Sequence, residues 1–268
     1  MDKQQLLNKY TKPEDKLLIS KMLDKMKLAQ TRNSIEYTDF LDAYQQKLLQ
    51  KVIQREKIEN VFFSGGIENA ERNILVFYPD KLRSMAEENV NAILPIRCLR
   101  IQLPKEMKGH YQHRNYLGGL IKLGIKREKI GDILVFDDGA DVLVLEEIEK
   151  FTLTNLPSLT RFSKATIEKV ALEKAREKEI HYKEFQMIVP SLRIDALIAE
   201  LLRTSRGKAE QYIKEGRVFV NYEEVQKVTK PIKENDIVTI RGKGKYNIGA
   251  ASGTTRNGRV KVTAYQYV

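Results

Sequence analysis

Apolar residues recur at helical spacing through residues 13–58. In PEDKLLISKMLDKM, leucines and methionines return every three or four positions after Pro13, which predicts a helix that opens near this proline. A second stripe runs through YTDFLDAYQQKLLQKVI, and Thr38 is predicted to cap its helix. Both stripes are typical of a core-facing helical surface. We therefore expect a helical N-terminal region over residues 1–60.

From residue 61 the apolar runs become short and are broken by turns. VFFSGG, NILVFYPD and LPIRCLRIQLP read as strands, and HYQHRNYLGGLIKLG reads as a helix that ends near Gly124. DILVF and DVLVL flank Asp137 to Ala140, whose Asp-Gly step favours a β-hairpin. Residues 163–179 fit a charged helix, yet TIEKVAL also alternates like a strand. We expect an α+β domain with a connector over residues 61–180.

The last third of the chain, residues 181–268, has the clearest pattern. SLRIDALIAELLR predicts an amphipathic helix, which Thr204 and Ser205 end while they cap the next one. In that second helix Ala209, Tyr212 and Ile213 share the inner side. The outer side carries Gly207, Lys208, Gln211 and Lys214, and Gly216 stands at the C-cap. RVFVN and DIVTIR follow as strands.

Composition indicates a soluble protein, and its charge indicates a polyanionic partner. The 268 residues are 42% hydrophobic and 31% charged, and the longest apolar runs are strand-sized, so we expect a cytoplasmic protein without a membrane span. Cys98 is the single cysteine and is predicted to be a buried apolar residue. The net charge is +11, and residues 181–268 hold 16 Lys and Arg against 9 Asp and Glu. The anion-binding surface is therefore expected in this last third.

Residues 204–221, TSRGKAEQYIKEGRVFVN, contain the parts of a phosphate site. Free amides at a helix N-terminus, next to Ser205, Arg206 and Lys208, attract anions through the helix dipole and hydrogen bonds. Gln211 and Lys214 would extend this site by a turn. The residues alone fit a solvated cationic helix face equally well, so they do not decide between a phosphate site and a solvated face.

The order of these residues resembles the S4-type RNA-binding domain. The similarity runs over about fifty residues from Arg-x-Asp (Arg193, Asp195) through Ser-Arg-x-x-Ala to the closing Asp-x-Val-x-x-Arg. One departure is Tyr222-Glu223-Glu224, where many members have glycine, so the turn type stays open. Asp195 is expected to orient Arg193 or cap its helix. The resemblance implies RNA binding by the residues of the basic face: Arg193, Ser205, Arg206, Lys208, Gln211, Lys214 and Arg217.

The preceding segment, YQHRNYLGGLIKLGIKREKIGDILVFDDGADVLV, resembles the YlmH family. That resemblance implies an α+β fold with an RNA-recognition-like middle domain before a C-terminal S4-type (αL-like) domain. It also implies a non-catalytic, monomeric protein without cofactors whose partners are rRNA of the large ribosomal subunit and tRNA or peptidyl-tRNA. The implied role is rescue and quality control of stalled subunits. Asn115 departs from the aspartate expected in relatives, which puts any role that needs a charge there in doubt.

Two other functions are compatible with an S4 module, namely an RNA-modifying enzyme of the pseudouridine synthase type and a ribosome-assembly factor. The first needs a catalytic aspartate in an Arg-Leu-Asp type motif within a large domain, and we find neither that motif nor a glycine-rich loop for a methyl donor. Lys122, Lys126, Arg127 and Lys129 form a second basic run. It reads as a solvated loop or as a further contact to an RNA backbone.

Overall fold

The computed structural model describes residues 2–88, 90–177 and 182–267. The chain divides into two compact units, residues 1–178 and 179–268. The domain boundary predicted at residue 60 stays a prediction, and the one predicted between residues 180 and 181 lies outside the described residues. Within the described ranges, no helix is both long and apolar enough to cross a membrane.

The N-terminal part of the first unit combines helices with a small antiparallel sheet. Its elements are α1 (Lys3–Asn8), α2 (Pro13–Arg32), β1 (Glu36–Tyr37), α3 (Ala43–Glu56), β2 (Val61–Ser64) and β3 (Ile74–Phe77), and the strand order is β1-β3-β2. The prediction that Thr38 caps a helix was wrong. Asp42 caps α3 by accepting the backbone N–H of Gln45 at 2.9 Å. Thr38 is buried and its Oγ1 accepts the N–H of Leu75 at 2.9 Å, so its hydroxyl binds strand β3 and does not cap a helix.

Strand β3 is buried on both faces. Because successive side chains of a strand point to opposite sides, Leu75 and Phe77 pack among the helices α2 and α3. Ile74 and Val76 point the other way and belong to a different apolar cluster. This strand therefore needs a second covering layer.

That layer is the sheet of the middle domain. The elements are α4 (Arg83–Glu88), α5 (Val90–Ile93), β4 (Ile96–Gln102), α6 (His113–Lys122), β5 (Ile130–Phe136), β6 (Gly139–Leu145), α7 (Glu149–Asn155) and β7 (Thr166–Val170). All pairings are antiparallel, in the order β5-β6-β4-β7. A βαββαβ chain path with this order is the split βαβ arrangement of RNA-recognition domains, so the predicted fold class is confirmed. The predicted hairpin forms between β5 and β6, and residues 166–170 are a strand.

Each face of this sheet is covered by a different part of the unit. Leu99 and Ile101 of β4 pack with residues of α6, such as Tyr116 and Leu120. On the opposite face, Ile96, Cys98, Leu143 and Leu145 pack against β3 and the Phe40 ring; a Cβ on Gly131 would meet that ring at 2.7 Å. Cys98 is fully buried, as predicted, and burial raises the pKa of its thiol to about 12.

The second unit packs two helices on one six-stranded antiparallel sheet. Its elements are β8 (Tyr182–Val189), α8 (Ile194–Leu201), α9 (Arg206–Lys214), β9 (Val218–Val220), β10 (Glu223–Glu224), β11 (Ile237–Ile240), β12 (Gly244–Thr254) and β13 (Val260–Tyr267). The strand order is β10-β9-β11-β12-β13-β8. The predicted helix, helix, strand, strand order is present as α8, α9, β9 and β11. Strands β8, β10, β12 and β13 had not been predicted.

The turn between β9 and β10 is made by Asn221 and Tyr222. Both have positive φ angles, 50° and 68°, which are the values of a type I′ hairpin turn. Asn221 also accepts the N–H of Ile237 on its Oδ1 at 2.9 Å and donates to Asp236 at 2.7 Å. The asparagine is thus fixed to β11, and the turn type that the sequence left open is type I′.

Replacing Phe40 by alanine is expected to destabilise the first unit by about 3–5 kcal/mol, because it leaves a cavity between β3 and the β4 face. Chemical denaturation followed by circular dichroism measures this loss. Phe151→Ala removes a ring that is 47% exposed and is the matched control. A loss for Phe40→Ala no larger than that of the control would show that this interface contributes little.

Candidate nucleic-acid interface

The connection between α8 and α9 is set by local backbone rules. After α8, Arg203 adopts a positive φ of 47°, and the N–H of Thr204 donates to the carbonyl of Ala199 at 2.8 Å. Ser205 then caps α9, since its Oγ accepts the N–H of Lys208 at 3.2 Å. Gly216, with φ of 66°, follows the other end of α9. The caps predicted at Ser205 and Gly216 are confirmed.

Helix α9 has one buried and one exposed side. Ala209 and Ile213 are buried in the core of the unit, whereas Arg206, Lys208, Gln211 and Lys214 are exposed. Tyr212 was predicted to lie in the core with Ala209 and Ile213, but it is only half-buried and packs at the edge of that core. The helix thus presents a row of polar and cationic side chains to solvent.

A buried carboxylate holds the two arginines at the start of this surface. Asp195 is 1% exposed and accepts two hydrogen bonds from Arg193, from Nε to Oδ1 and from Nη2 to Oδ2, both 3.0 Å long. Arg206 donates its Nη2 to Asp195 Oδ2 at 2.8 Å. Asp195 therefore orients Arg193, as expected, and also ties the start of α8 to the start of α9. We call Arg193, Asp195 and Arg206 the arginine clamp.

The electrostatics of the arginine clamp favour the ionised carboxylate. Burial by itself would raise the pKa of Asp195, but the hydrogen bonds from Arg193 and the charges of both arginines outweigh it and hold the pKa below its ordinary value. The bonds to Asp195 use two N–H groups of Arg193 and one of Arg206. Each guanidinium carries five N–H donors, so both retain donors for another anion.

Arg217 extends the surface from α9 onto the sheet. Its guanidinium carbon lies 4.5 Å from the ring centroid of Tyr212, and its Nη2 donates to the carbonyl of Arg241 at 3.0 Å. Arg241 in turn stacks on Phe219, with its guanidinium carbon 4.6 Å from that ring. Arg241 closes the Asp-x-Val-x-x-Arg motif of the sequence, but its place beside Arg217 was not predicted, because only the antiparallel pairing of β9 with β11 brings the two together.

Three of the predicted residues also have acidic neighbours. Gln211 donates to Glu215 at 2.8 Å, Arg217 lies 3.4 Å from Glu215, and Lys214 lies 4.0 Å from Glu210 one turn earlier. Such exposed pairs contribute little and rearrange easily. The structure thus places all seven predicted residues in one unit: Arg193 and Arg206 in the arginine clamp, Ser205 at the cap, Lys208, Gln211 and Lys214 along α9, and Arg217 before β9.

The second basic run behaves differently. Lys129 pairs with Asp39 at 2.6 Å and Glu147 at 2.5 Å, and Arg127 donates to the carbonyl of Ile130 at 2.5 Å. These two cations fasten the loop before β5 to its surroundings, while Lys122 and Lys126 are exposed. The run is therefore not a uniform cationic patch.

Other charges of the middle domain are also used internally. Asp141, fully buried on β6, accepts hydrogen bonds from Arg100 at 2.8–2.9 Å and from Arg176 at 2.9–3.1 Å. Asn115, the departure from the expected aspartate, accepts the N–H of Gln112 at 2.8 Å on its Oδ1. An uncharged amide suffices for this contact at the start of α6.

Asp195→Asn is expected to lower the free energy of unfolding by about 1–3 kcal/mol at neutral pH, because the charge that balances two arginines is lost. The lowered pKa of Asp195 means that its contribution is complete above the ordinary aspartate pKa of about 3.9 and is lost as the pH falls through the lowered folded-state pKa. Urea unfolding at pH 7 and at about pH 3 should therefore give a smaller difference at the lower pH.

The control for this variant is Asp24→Asn, which removes a well-exposed carboxylate paired with Lys3. It should behave like the parent protein at both pH values. A stability difference for Asp195→Asn that is the same at both pH values would contradict the ionic role of the clamp.

Comparison with known proteins identifies two domains in the chain. Residues 94–174, which span β4 to β7, match the family model described as "Putative RNA-binding domain in YlmH", and residues 192–238 match the S4 domain. The chain is 26% identical over 256 residues to the ribosome-associated protein quality control protein P2 of Bacillus subtilis (strain 168), covering 95% of this chain and 96% of that protein. A solved structure of the cell division protein ylmH from Streptococcus pneumoniae aligns with a TM-score of 0.48 at 19% identity, over 62% of this chain and 98% of that one. The chain thus contains a match to a YlmH-type RNA-binding domain followed by a match to an S4 domain.

Proposed function

We propose that this protein is a non-catalytic RNA-binding factor of the large ribosomal subunit. It binds rRNA and tRNA through its S4 domain and acts in the rescue and quality control of stalled subunits that carry peptidyl-tRNA. The observation that carries the proposal is the exposed cationic row of α9, whose start is fixed by the arginine clamp and the Ser205 cap. The name of the Bacillus subtilis relative, a ribosome-associated quality control protein, supports the cellular setting.

The seven residues of this surface have separate roles in the proposal. Arg193 and Arg206 bind backbone phosphates with the N–H donors that Asp195 leaves unused. Lys208, Gln211 and Lys214 follow the backbone along α9, because residues three apart lie next to each other on a helix. Ser205 positions the first turn, and Arg217 contacts RNA at the edge of the sheet. These contacts read the shape and charge of structured RNA.

The middle domain does not use the stacking mode of RNA-recognition sheets in this proposal. In that mode aromatic residues of the central strands stack on bases. Here β4 and β6 read IRCLRIQ and GADVLVL, without an aromatic residue, and the sheet face that carries Cys98 and Leu143 is buried against Phe40 and β3. Any RNA contact of this domain therefore uses its loops or helices.

Arg206→Ala combined with Lys208→Ala is expected to release the protein from large subunits. Two lost phosphate contacts should also reduce the slope of log affinity against log salt by about 1.8, at about 0.9 for each contact on duplex-like RNA. Co-sedimentation with purified large subunits over a salt series measures both effects.

The matched control is Lys21→Ala with Lys27→Ala, which removes the same charge from exposed positions of α2. It should retain binding and most of the salt dependence. If a double variant at Arg206 and Lys208 that is folded by circular dichroism co-sediments like the parent, the assignment of this surface fails.

The non-catalytic assignment has its own test. In a deletion strain, mass mapping of rRNA and tRNA is expected to show every modification of the parent strain. A modification that is missing and returns with the restored gene would establish the protein as an RNA-modifying enzyme.

A further inference from the structure

The six-stranded sheet of the second unit has a face that does not pack on α8 and α9. Side chains alternate along its strands, so Met187, Val189, Val262 and Ala264 point into the core. Their neighbours point outward. The outward residues of strands β9, β12, β13 and β8 include Phe219, Lys245, Lys261, Tyr265, Tyr267 and Tyr182.

Three tyrosines form a cluster at one end of this face. Tyr267 stands directly opposite Tyr182 in the pairing of β13 with β8, and their ring centroids are 5.1 Å apart. Tyr265 lies two residues before Tyr267, with its centroid 6.4 Å from that of Tyr182. Tyr182 is 51% exposed and Tyr265 is 37% exposed. Single exposed rings are ordinary on a sheet, but a cluster of large, partly exposed rings is characteristic of a binding surface.

Cations lie against these rings and farther along the same face. Lys245 of β12 has its Nζ 4.7 Å from the centroid of Tyr267 and 5.5 Å from that of Tyr222. Lys261 is exposed on β13, and Arg241 covers the ring of Phe219 at the far end of the same face. The face also carries two carboxylates, Glu184 opposite Tyr265 and Glu224 opposite Phe219. Lys245, Lys261 and Arg241 outnumber these two acidic groups, so the face complements a polyanion.

Aromatic rings interleaved with cations on an open sheet are the elements of a single-strand binding platform. Unpaired bases stack on aromatic side chains while lysine and arginine neutralise the backbone. A duplex hides its base faces inside the helix and cannot use such rings. An apolar protein partner would have to bury Lys245 and Lys261 without compensation. The chemistry on this face therefore favours unpaired RNA.

We propose that the tyrosine face, formed by Tyr182, Tyr265 and Tyr267 with Lys245 and Lys261, is a second RNA-binding surface that stacks unpaired nucleotides. It is separate from the arginine clamp and from the cationic row of α9, and it goes beyond the proposed function by adding a contact to single-stranded RNA. The inference depends on the proposed function only in that both surfaces bind RNA. Each surface is tested by its own variants.

The test uses the full-length protein and a fluorescein-labelled oligouridylate of about 12 nucleotides, a length within the range of roughly 4–16 nucleotides bound by single-strand platforms. Tyr182→Ala combined with Tyr265→Ala is expected to weaken binding about tenfold or more, because stacking against both rings is lost. Fluorescence anisotropy measures the affinity. Tyr182→Phe with Tyr265→Phe keeps the rings and should bind like the parent protein.

Two further variants separate the surfaces. Phe151→Ala, which removes an exposed ring from the first unit, should leave oligouridylate binding unchanged. Arg206→Ala with Lys208→Ala should impair co-sedimentation with large subunits while it leaves oligouridylate binding within about twofold. If the latter pair abolishes oligouridylate binding and the alanine pair at Tyr182 and Tyr265 does not, the single strand binds the helix surface and the tyrosine face proposal is overturned.

A measurement on the parent protein covers the case in which the alanine variant fails to fold. The chain has no tryptophan and 12 tyrosines, so its near-ultraviolet emission comes from tyrosine. Stacked bases should quench this emission in a saturable way, and an RNA duplex of the same length should quench it much less. Equal quenching by both, or a dimer-to-monomer change caused by Tyr182→Ala and Tyr265→Ala in sedimentation equilibrium without loss of RNA affinity, would overturn the proposal.

Discussion

The burial of β3 on both faces constrains the architecture of the first unit. A strand with Ile74 and Val76 on one side and Leu75 and Phe77 on the other is stable only between two apolar layers. Helices α2 and α3 form one layer and the β4 to β7 sheet forms the other. The sheet face that RNA-recognition domains use for bases is thereby occupied by the protein itself, and the middle domain is part of a larger core.

In the second unit the main constraint is to hold cationic side chains in fixed positions on a solvent-exposed surface. Repulsion between neighbouring guanidinium groups would spread Arg193 and Arg206 over many rotamers. A buried anion, Asp195, holds them at 2.8–3.0 Å and is itself satisfied by their hydrogen bonds. The loss of side-chain entropy that the proposed RNA contact requires has in part already occurred during folding. This pre-organisation distinguishes the clamp from Lys208 and Lys214, which are exposed and less constrained.

Local rules made much of this structure predictable from the sequence, and long-range pairing made the rest unpredictable. The Ser205 cap, the Gly216 turn and the β5 to β6 hairpin follow from short stretches of sequence, and all three are present. Strand β12 was missed because GKYNIGAASGT has many small residues and few β-branched ones. The bond from Arg206 to Asp195 joins residues eleven positions apart across a turn, and periodicity carries no information about it. Thr38 was misassigned because a threonine before a helical stripe resembles a cap, whereas its hydroxyl is fixed by the distant Leu75.

The position of Cys98 has a consequence for dynamics. Its thiol lies at the interface between β3 and the β4 to β7 sheet, and with a pKa of about 12 it is almost entirely protonated near neutral pH. A thiol reagent can therefore react only when this interface opens. Because Cys98 is the single cysteine of the chain, the rate at which a thiol reagent labels the protein reports directly on local unfolding of the first unit. A protein with no engineered probe thus already carries a reporter of how often its two layers separate.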